Sequence, residues 1–288
     1  MSISVLRSHK AVRLFKLFCA GSAAFSALVL AATPSFAHAT ANETIEQNNI
    51  IKVCAVPQLY QAVNLMQNVS KIKFEPTFAT ANELYAMVAN APENNTVAVC
   101  DVVLSSDERL PISLIRSQRA VGSSMVPFAI APLVFWSRDP ELFSSKGNTA
   151  QNLLRKHQIQ SLALASANQT PVGFATAQLL KNSAFNTSYL KDKTYKSEHE
   201  YQVYSMVSNG NVQVGIVTKP LVAQITRELN GSYYEVPRNL HSDIQYYAVL
   251  MEQSKTNRKA KAFIGRLIKD KRIQEVLHIT GFSPITTD

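Results

Sequence analysis

The chain has 288 residues, 46% of them hydrophobic, with 29 Lys and Arg against 20 Asp and Glu and a formal net charge of +9. That length allows one large or two ordinary domains with a sizeable core. The basic residues are scattered and not interleaved with aromatics, which excludes a nucleic-acid surface.

Met1 to Lys16 carries Arg7, Lys10, Arg13 and Lys16 with no acid, and the apolar run Leu17 to Ala32 follows. This is the pattern of an export signal, and small residues place cleavage after Ala39, with cleavage after Ala37 as the alternative. Residues 1–39 are therefore expected to be a leader removed on export. A retained anchor fits less well, because the run falls short of the roughly 20 residues of a spanning helix. Lipid attachment at Cys19 is excluded by its position: Lys16 and Phe18 flank it, and most of the apolar run comes after it. Losing the leader removes four of the 29 basic residues and no acid, leaving +5, a mild field that favours capture of small anions.

Past a polar start (Thr40 to Asn49), strand and helix signals alternate. Ile50 to Val56, Lys71 to Phe78 and Val97 to Leu104 are β-like; Leu59 to Val69 and Glu83 to Ala91 have helical apolar spacing. Ala131 to Trp136 begins another strand and the pattern restarts. Helices are expected at Asn148 to His157, Pro171 to Lys181, Ser197 to Asn209 and Pro220 to Leu229. Strands are expected at Ser161 to Ala165, Val212 to Val217 and Tyr233 to Val236. Ile244 to Met251 is a strand that returns the chain to the first unit, and Asn257 to Ile268 and Arg272 to Ile279 are helices closing it, with Gly281 as terminator. Such alternation implies parallel-rich sheets with helices on both faces, an α/β fold. The expected organisation is a discontinuous first lobe (48–130 and 241–288) and an inserted second lobe (131–240), joined by two crossings that make a hinge.

An oxidising compartment permits a bridge between Cys54 and Cys100. If their strands are parallel neighbours, however, Cys54 lies near the exit of one and Cys100 at the start of the other, several residues of about 3.3 Å apart. That exceeds the roughly 7 Å limit between bridged Cα atoms, so buried free thiols are expected.

Ligands of open parallel sheets bind outside the carboxyl ends of the strands. Here those junctions run into helix N-termini, whose unpartnered N–H groups and partial positive charge suit an anion. The candidate binding residues are Pro57 and Gln58, Thr80, Ala81 and Asn82, Pro171 and Val172, Glu200 and Tyr201, and Thr218. Pro171 fits a first helical turn, and Gly173 lets another backbone or a ligand come close. Lys219 is either a solvated residue at a helix start or a long-range attractant at the cleft mouth.

Catalytic and metal chemistry find little support. His9 and His38 leave with the leader, and His157, His199, His241 and His278 have no i, i+4 partner or nearby cysteine, so no metal site is expected and His199 reads as a surface residue. Asp101 and Asp107 bracket a strand about 20 Å long, too far apart for a cooperating acid–base pair; turn and capping roles fit them. Ser105-Ser106 lacks the glycines of a nucleophile elbow. Trp136 and the Tyr246–Tyr247 pair read as strand and interlobe packing. The chain is not expected to be an enzyme, and no cofactor is expected.

Ser161-Leu-Ala-Leu-Ala165 followed by Pro171-Val-Gly173 resembles a strand and helix of the periplasmic molybdate-binding proteins that serve ABC importers. Ile51-Lys-Val-Cys-Ala55, Asp101 through Asp107, Val214-Gly-Ile-Val217, and Lys261-Ala-Phe263 through Thr280-Gly-Phe282 resemble further pieces of that family in the same order, from about Ile50 to Pro284. The resemblance implies a two-lobed periplasmic binding protein fold of type II. It implies a monomer in the periplasm that closes on a small oxyanion, molybdate or tungstate, and delivers it to membrane permease subunits. It also marks departures. Gln58, Ala81 and Thr218 stand where the family presents a serine, a serine and a tyrosine, Val172 carries over as a backbone donor, and Glu200 stands where the family offers a backbone N–H. A carboxylate there would repel an oxyanion, and the expectation is that Glu200 turns back to cap its own helix with Ser197, as in a Ser-x-x-Glu box.

Overall fold

The computed structural model describes residues 50–91, 98–223 and 231–285. The expected leader, Cys19 and the polar start lie outside these residues, as do most of the helix expected at Pro220 to Leu229 and the first residue of the strand expected from Val97.

Two five-stranded mixed sheets form the body. The first holds β1 (Ile51–Ala55), β2 (Phe74–Phe78), β3 (Val102–Ser105), β4 (Val126–Ile130) and β10 (Gln245–Leu250), in the order β2-β1-β3-β10-β4. The second holds β5 (Leu133–Ser137), β6 (Leu162–Ala165), β7 (Thr194–Ser197), β8 (Val214–Thr218) and β9 (Ser232–Glu235), in the order β7-β6-β8-β5-β9. In each, three neighbouring strands run parallel and two antiparallel strands complete the far side. The chain passes between sheets at Ala131-Pro132 and again between β9 and β10. This is the two-lobed α/β fold the alternation implied.

Helices cover both sheets: α1 (Tyr60–Val69), α2 (Ala81–Ala89), α3 (Arg109–Arg116), α4 (Ala150–Arg155), α5 (Pro171–Leu179), α6 (Glu200–Ser208), the short α7 (Lys219–Val222), α8 (Arg258–Lys269) and α9 (Lys271–Ile279). Several begin where a side chain accepts from an orphan first-turn N–H: Thr80 and Glu83 form a reciprocal box at α2, Thr170 caps α5, Asn257 caps α8 and Asp270 caps α9. After α9 the chain turns at Gly281, whose φ of 93° suits glycine. The central strands read as apolar runs because both faces are covered: every residue of β3, β5 and β8 is buried.

Several expectations need correction. The segment Thr194–Ser197 is a strand paired in parallel with β6, and the helix that follows starts at Glu200, not Ser197. Helix α3 and strand β4 had not been expected; Pro111 and Pro127 interrupt their local patterns. Pro111 sits in the first turn of α3, where no N–H is needed, and Pro127 lies on a strand that closes one edge of its sheet.

The cysteines are not free thiols. Cys54 and Cys100 form a disulfide with Cα atoms 5.7 Å apart. The two strands are parallel neighbours as supposed, with Cys54 opposite Val103. Cys100, however, is not in the strand. The chain bends at Val99 and Asp101 before β3 begins, and this folds Cys100 alongside Cys54 where an extended strand would have carried it away. Asp101 holds the bend, accepting from the Lys52 N–H at 2.6 Å and the Ser254 hydroxyl at 2.5 Å.

Candidate functional site

The parallel strands of both sheets end at one cavity of about 760 Å³, within the range of small-molecule sites. Val56, Pro57 and Gln58 follow β1; Thr80, Ala81 and Asn82 follow β2; Ser106, Asp107 and Arg109 follow β3. From the second sheet come Asn168 to Val172 after β6, Glu198 to Tyr201 after β7, and Thr218 at the end of β8. All ten sequence-expected residues therefore line this one cavity.

Their hydrogen-bonding states differ. The Thr80 hydroxyl donates to Glu83 at 2.8 Å and accepts from the Glu83 N–H at 3.4 Å, so its one proton is committed to the α2 cap. Thr170 does the same for α5, donating to the Ser166 carbonyl and accepting from the Gly173 N–H at 2.9 Å. The N–H groups of Ala81, Asn82, Val172 and Tyr201 lie in first turns, where no carbonyl of their own helix reaches them. Gly173 packs against backbone: a Cβ there would stand 2.2 Å from the Ser166 carbonyl oxygen. Of the two uses open to this glycine, the structure takes the close backbone approach.

Glu200 departs from its expected capping role. Its backbone is the first helical residue, His199 is the N-cap, and the reciprocal bonds at this terminus come from Gln202, whose Oε1 accepts from the Glu198 and His199 N–H groups. Ser197 donates instead to the Leu164 and His199 carbonyls. The Glu200 side chain, 5% exposed, reaches across to β8. It accepts from the Thr218 N–H at 3.3 Å and from the Thr218 hydroxyl at 3.2 Å, with the Gln58 side chain as a further partner. Burial raises its pKa, and these hydrogen bonds only partly offset that.

The surrounding phenols respond to the same carboxylate. Tyr201 is pushed up to about 12, first by burial and then by Glu200. Tyr246, read from sequence as packing, is buried near the start of β10 yet lines the cavity; burial and then Glu200 raise it, while Thr218 lies within hydrogen-bonding reach. Arg109 was also missed. Its guanidinium pairs with Asp107 and donates to the Gln169 carbonyl of the other lobe at 2.7 Å. His199, expected at the surface, is exposed and also on the cavity wall. Lys219 is not on that wall: it pairs with Glu235 at 2.7 Å and stands over the Tyr233 ring. Trp136 packs as expected, fully buried and stacked on Tyr204. Among the described residues no cluster of three or more His, Cys, Asp or Glu side chains could hold a metal ion, and no helix is long and apolar enough to cross a membrane.

A ligand cleft between two such sheets is the arrangement of a solute-binding protein, and the family model described as bacterial extracellular solute-binding protein matches residues 56–283. The chain belongs to that family. Among its relatives, the molybdate-binding protein ModA of Azotobacter vinelandii is 26% identical over 206 residues, 72% of this chain and 77% of that one. ModA of Rhodobacter capsulatus is also 26% identical, over 71% of this chain and 75% of its own. A solved structure, the substrate-binding domain of a putative molybdenum ABC transporter from Clostridium difficile, superposes with a TM-score of 0.66 at 19% identity, covering 82% of this chain and 99% of that one. In this solute-binding chain the cavity wall carries Asp107, Glu198 and Glu200 against a single arginine already paired with Asp107, so side chains give it no net positive charge.

Proposed function

We propose that this chain is the periplasmic binding protein of an ABC importer, capturing a small oxyanion of the molybdate or tungstate kind and presenting it to membrane permease subunits. The observation that carries the reading is that the first turns of α2, α5 and α6, drawn from both sheets, line one cavity, each with N–H groups that no carbonyl of its own helix reaches. Such donors hold a dehydrated anion at about 1.5–3 kcal/mol per hydrogen bond, and closure of the two lobes would exclude water from it. The relatives' names point to the same ligand class. In this reading residues 1–39 are the export leader, 48–130 with 241–288 form the first lobe and 131–240 the second. Ala81, Asn82, Val172 and Tyr201 offer backbone donors, while Pro57, Gln58, Thr80, Pro171, Glu200 and Thr218 shape the wall.

Thermal unfolding of the mature protein with molybdate, tungstate, sulfate and phosphate tests this. Ligand at one hundred times Kd adds about 2.7 kcal/mol, a rise of several degrees for a chain of this size. Molybdate or tungstate should produce it. No rise with any of the four anions removes the oxyanion reading and leaves a solute-binding fold turned to another small ligand.

A further inference from the structure

We infer that Glu200 makes capture of a doubly charged oxyanion by this cleft a proton-coupled event, in which one proton enters from solvent with the anion and is held between the anion and the Glu200 carboxyl. The inference rests on the oxyanion reading above.

Donors and acceptors at this corner do not balance. An ionised carboxylate has acceptors only, and so does a fully deprotonated oxyanion. Glu200 already draws on the Thr218 N–H, the Thr218 hydroxyl and the Gln58 side chain, groups that also line the cavity. Gln58 Oε1 is itself buried with no donor. This corner is therefore short of hydrogens before any ligand arrives, and a second acceptor-only anion deepens the shortage.

Charge points the same way. The groups facing Glu200 are Thr218 from β8, Gln58 from the turn after β1, Tyr246 from β10 and Tyr201 from its own helix, none of them cationic. Asp107, which acts on Tyr246, is paired with Arg109, so the two together bring no net positive charge to this corner. No lysine or arginine is among the groups acting on Glu200, and Arg109 is engaged with Asp107 and Gln169. Two like charges enclosed in one desolvated site cannot both persist. One proton resolves both problems, because a protonated Glu200 is neutral and has an O–H to give to an anion oxygen. No covalent bond to the ligand changes. An anion that still carries a proton near neutrality, such as hydrogen phosphate, brings its own and escapes the requirement.

Calorimetric titration with molybdate, sulfate and phosphate, from about pH 6 to about pH 10 in buffers of different ionisation enthalpy, counts the protons directly. For wild type the expected result is uptake of about one proton per molybdate on the alkaline side, with Kd rising about tenfold per pH unit there. Glu200→Gln should bind molybdate without proton uptake and with a flat profile, and should unfold no earlier than wild type. His199→Asn controls for the histidine on the cavity wall and should keep the wild-type slope. A flat wild-type profile overturns the inference while leaving the oxyanion reading intact. So does a slope that survives Glu200→Gln or disappears in His199→Asn. Failure of both wild type and Glu200→Gln to bind any anion at any pH overturns the oxyanion reading, and this inference with it.

Discussion

At the scale of single residues, Gly173 is the position where the least chemistry decides the most. The Ser166 carbonyl lies so close that a Cβ would penetrate it at 2.2 Å, and the carbonyl carbon follows at 2.4 Å. Both are backbone atoms of the loop that leads from β6 into α5, so they cannot swing aside. Gly173→Ala is therefore expected to push α5 off the loop, costing about 2–3 kcal/mol of stability in urea unfolding, and to abolish ligand-induced stabilisation because the Val172 N–H moves with it. Gly265, inside α8 with nothing within 4 Å of its added Cβ, is the internal comparison. Gly265→Ala should stabilise by about 0.5–1 kcal/mol. If both substitutions gave the same sign, the close approach at Ser166 would not be what places α5. Glu200 adds a pH signature of its own. Its folded pKa is raised by burial, so its contribution to stability is fully present below the unfolded value of about 4.3 and is lost as pH rises through the raised folded value. The free protein should lose stability over that window, and Glu200→Gln should remove this component from the pH dependence of urea unfolding.

At the scale of elements, the disulfide closes a loop of 46 residues that contains α1, β2 and α2, and in the chain-entropy picture a loop of that length is worth about 4 kcal/mol. Cys54→Ala with Cys100→Ala is expected to cost about 2–4 kcal/mol in urea, and wild type under reductant should match it. A double variant as stable as oxidised wild type would mean that the bridge constrains nothing the sheet has not already fixed. The same element shows where the sequence stops being legible. Apolar runs such as Val214–Thr218 announce buried strands, and Thr80 or Thr170 before a helical pattern announces a start, because those signals are written within a few residues. Strand ends feeding helix starts could thus be placed on the cavity by a local rule. The bend that carries Cys100 back to Cys54 depends instead on Asp101 meeting Ser254, 153 residues away, and no window contains both. Glu200 is misread for the same reason: a Ser-x-x-Glu spacing reads as a local box, while the winning partner, Thr218, is 18 residues on and belongs to another strand. Arg109 and Asp107 could have been found, since they follow β3 just as Thr80 follows β2.

At the scale of the whole molecule, few direct bonds among the described residues tie the two sheets along the cleft, and in the proposed binding-protein reading those bonds would set how often the free protein is closed. The chain crosses between sheets at Ala131-Pro132 and again between β9 and β10, the second stretch being steadied by the Ser242 N–H donating to the Gln178 side chain at 2.8 Å. At the mouth, Arg109 of the first lobe donates to the Gln169 carbonyl of the second at 2.7 Å, in the loop that precedes the α5 donors. The Arg109 side chain is 54% exposed, so its ion pair with Asp107 contributes only about 0–1 kcal/mol to folding. The cross-lobe bond acts on a different equilibrium. Losing about 1 kcal/mol from the closed form alone lowers the closed-to-open ratio roughly fivefold, and a ligand that needs the closed form then binds more weakly, by at most about fivefold. Arg109→Ala should accordingly leave the unfolding free energy of the free protein, from urea titration, within about 1 kcal/mol of wild type. It should also enlarge the radius of gyration of the ligand-free protein in small-angle X-ray scattering, with saturating ligand restoring the wild-type value. Because the scattering difference is read without ligand, it separates a closure effect from any contact Arg109 makes in the cavity. An unchanged ligand-free radius beside a weakened Kd would assign Arg109 to the ligand wall and leave the hinge to be set by the two crossings and the remaining cross-lobe contacts, such as Gln58 with Glu200.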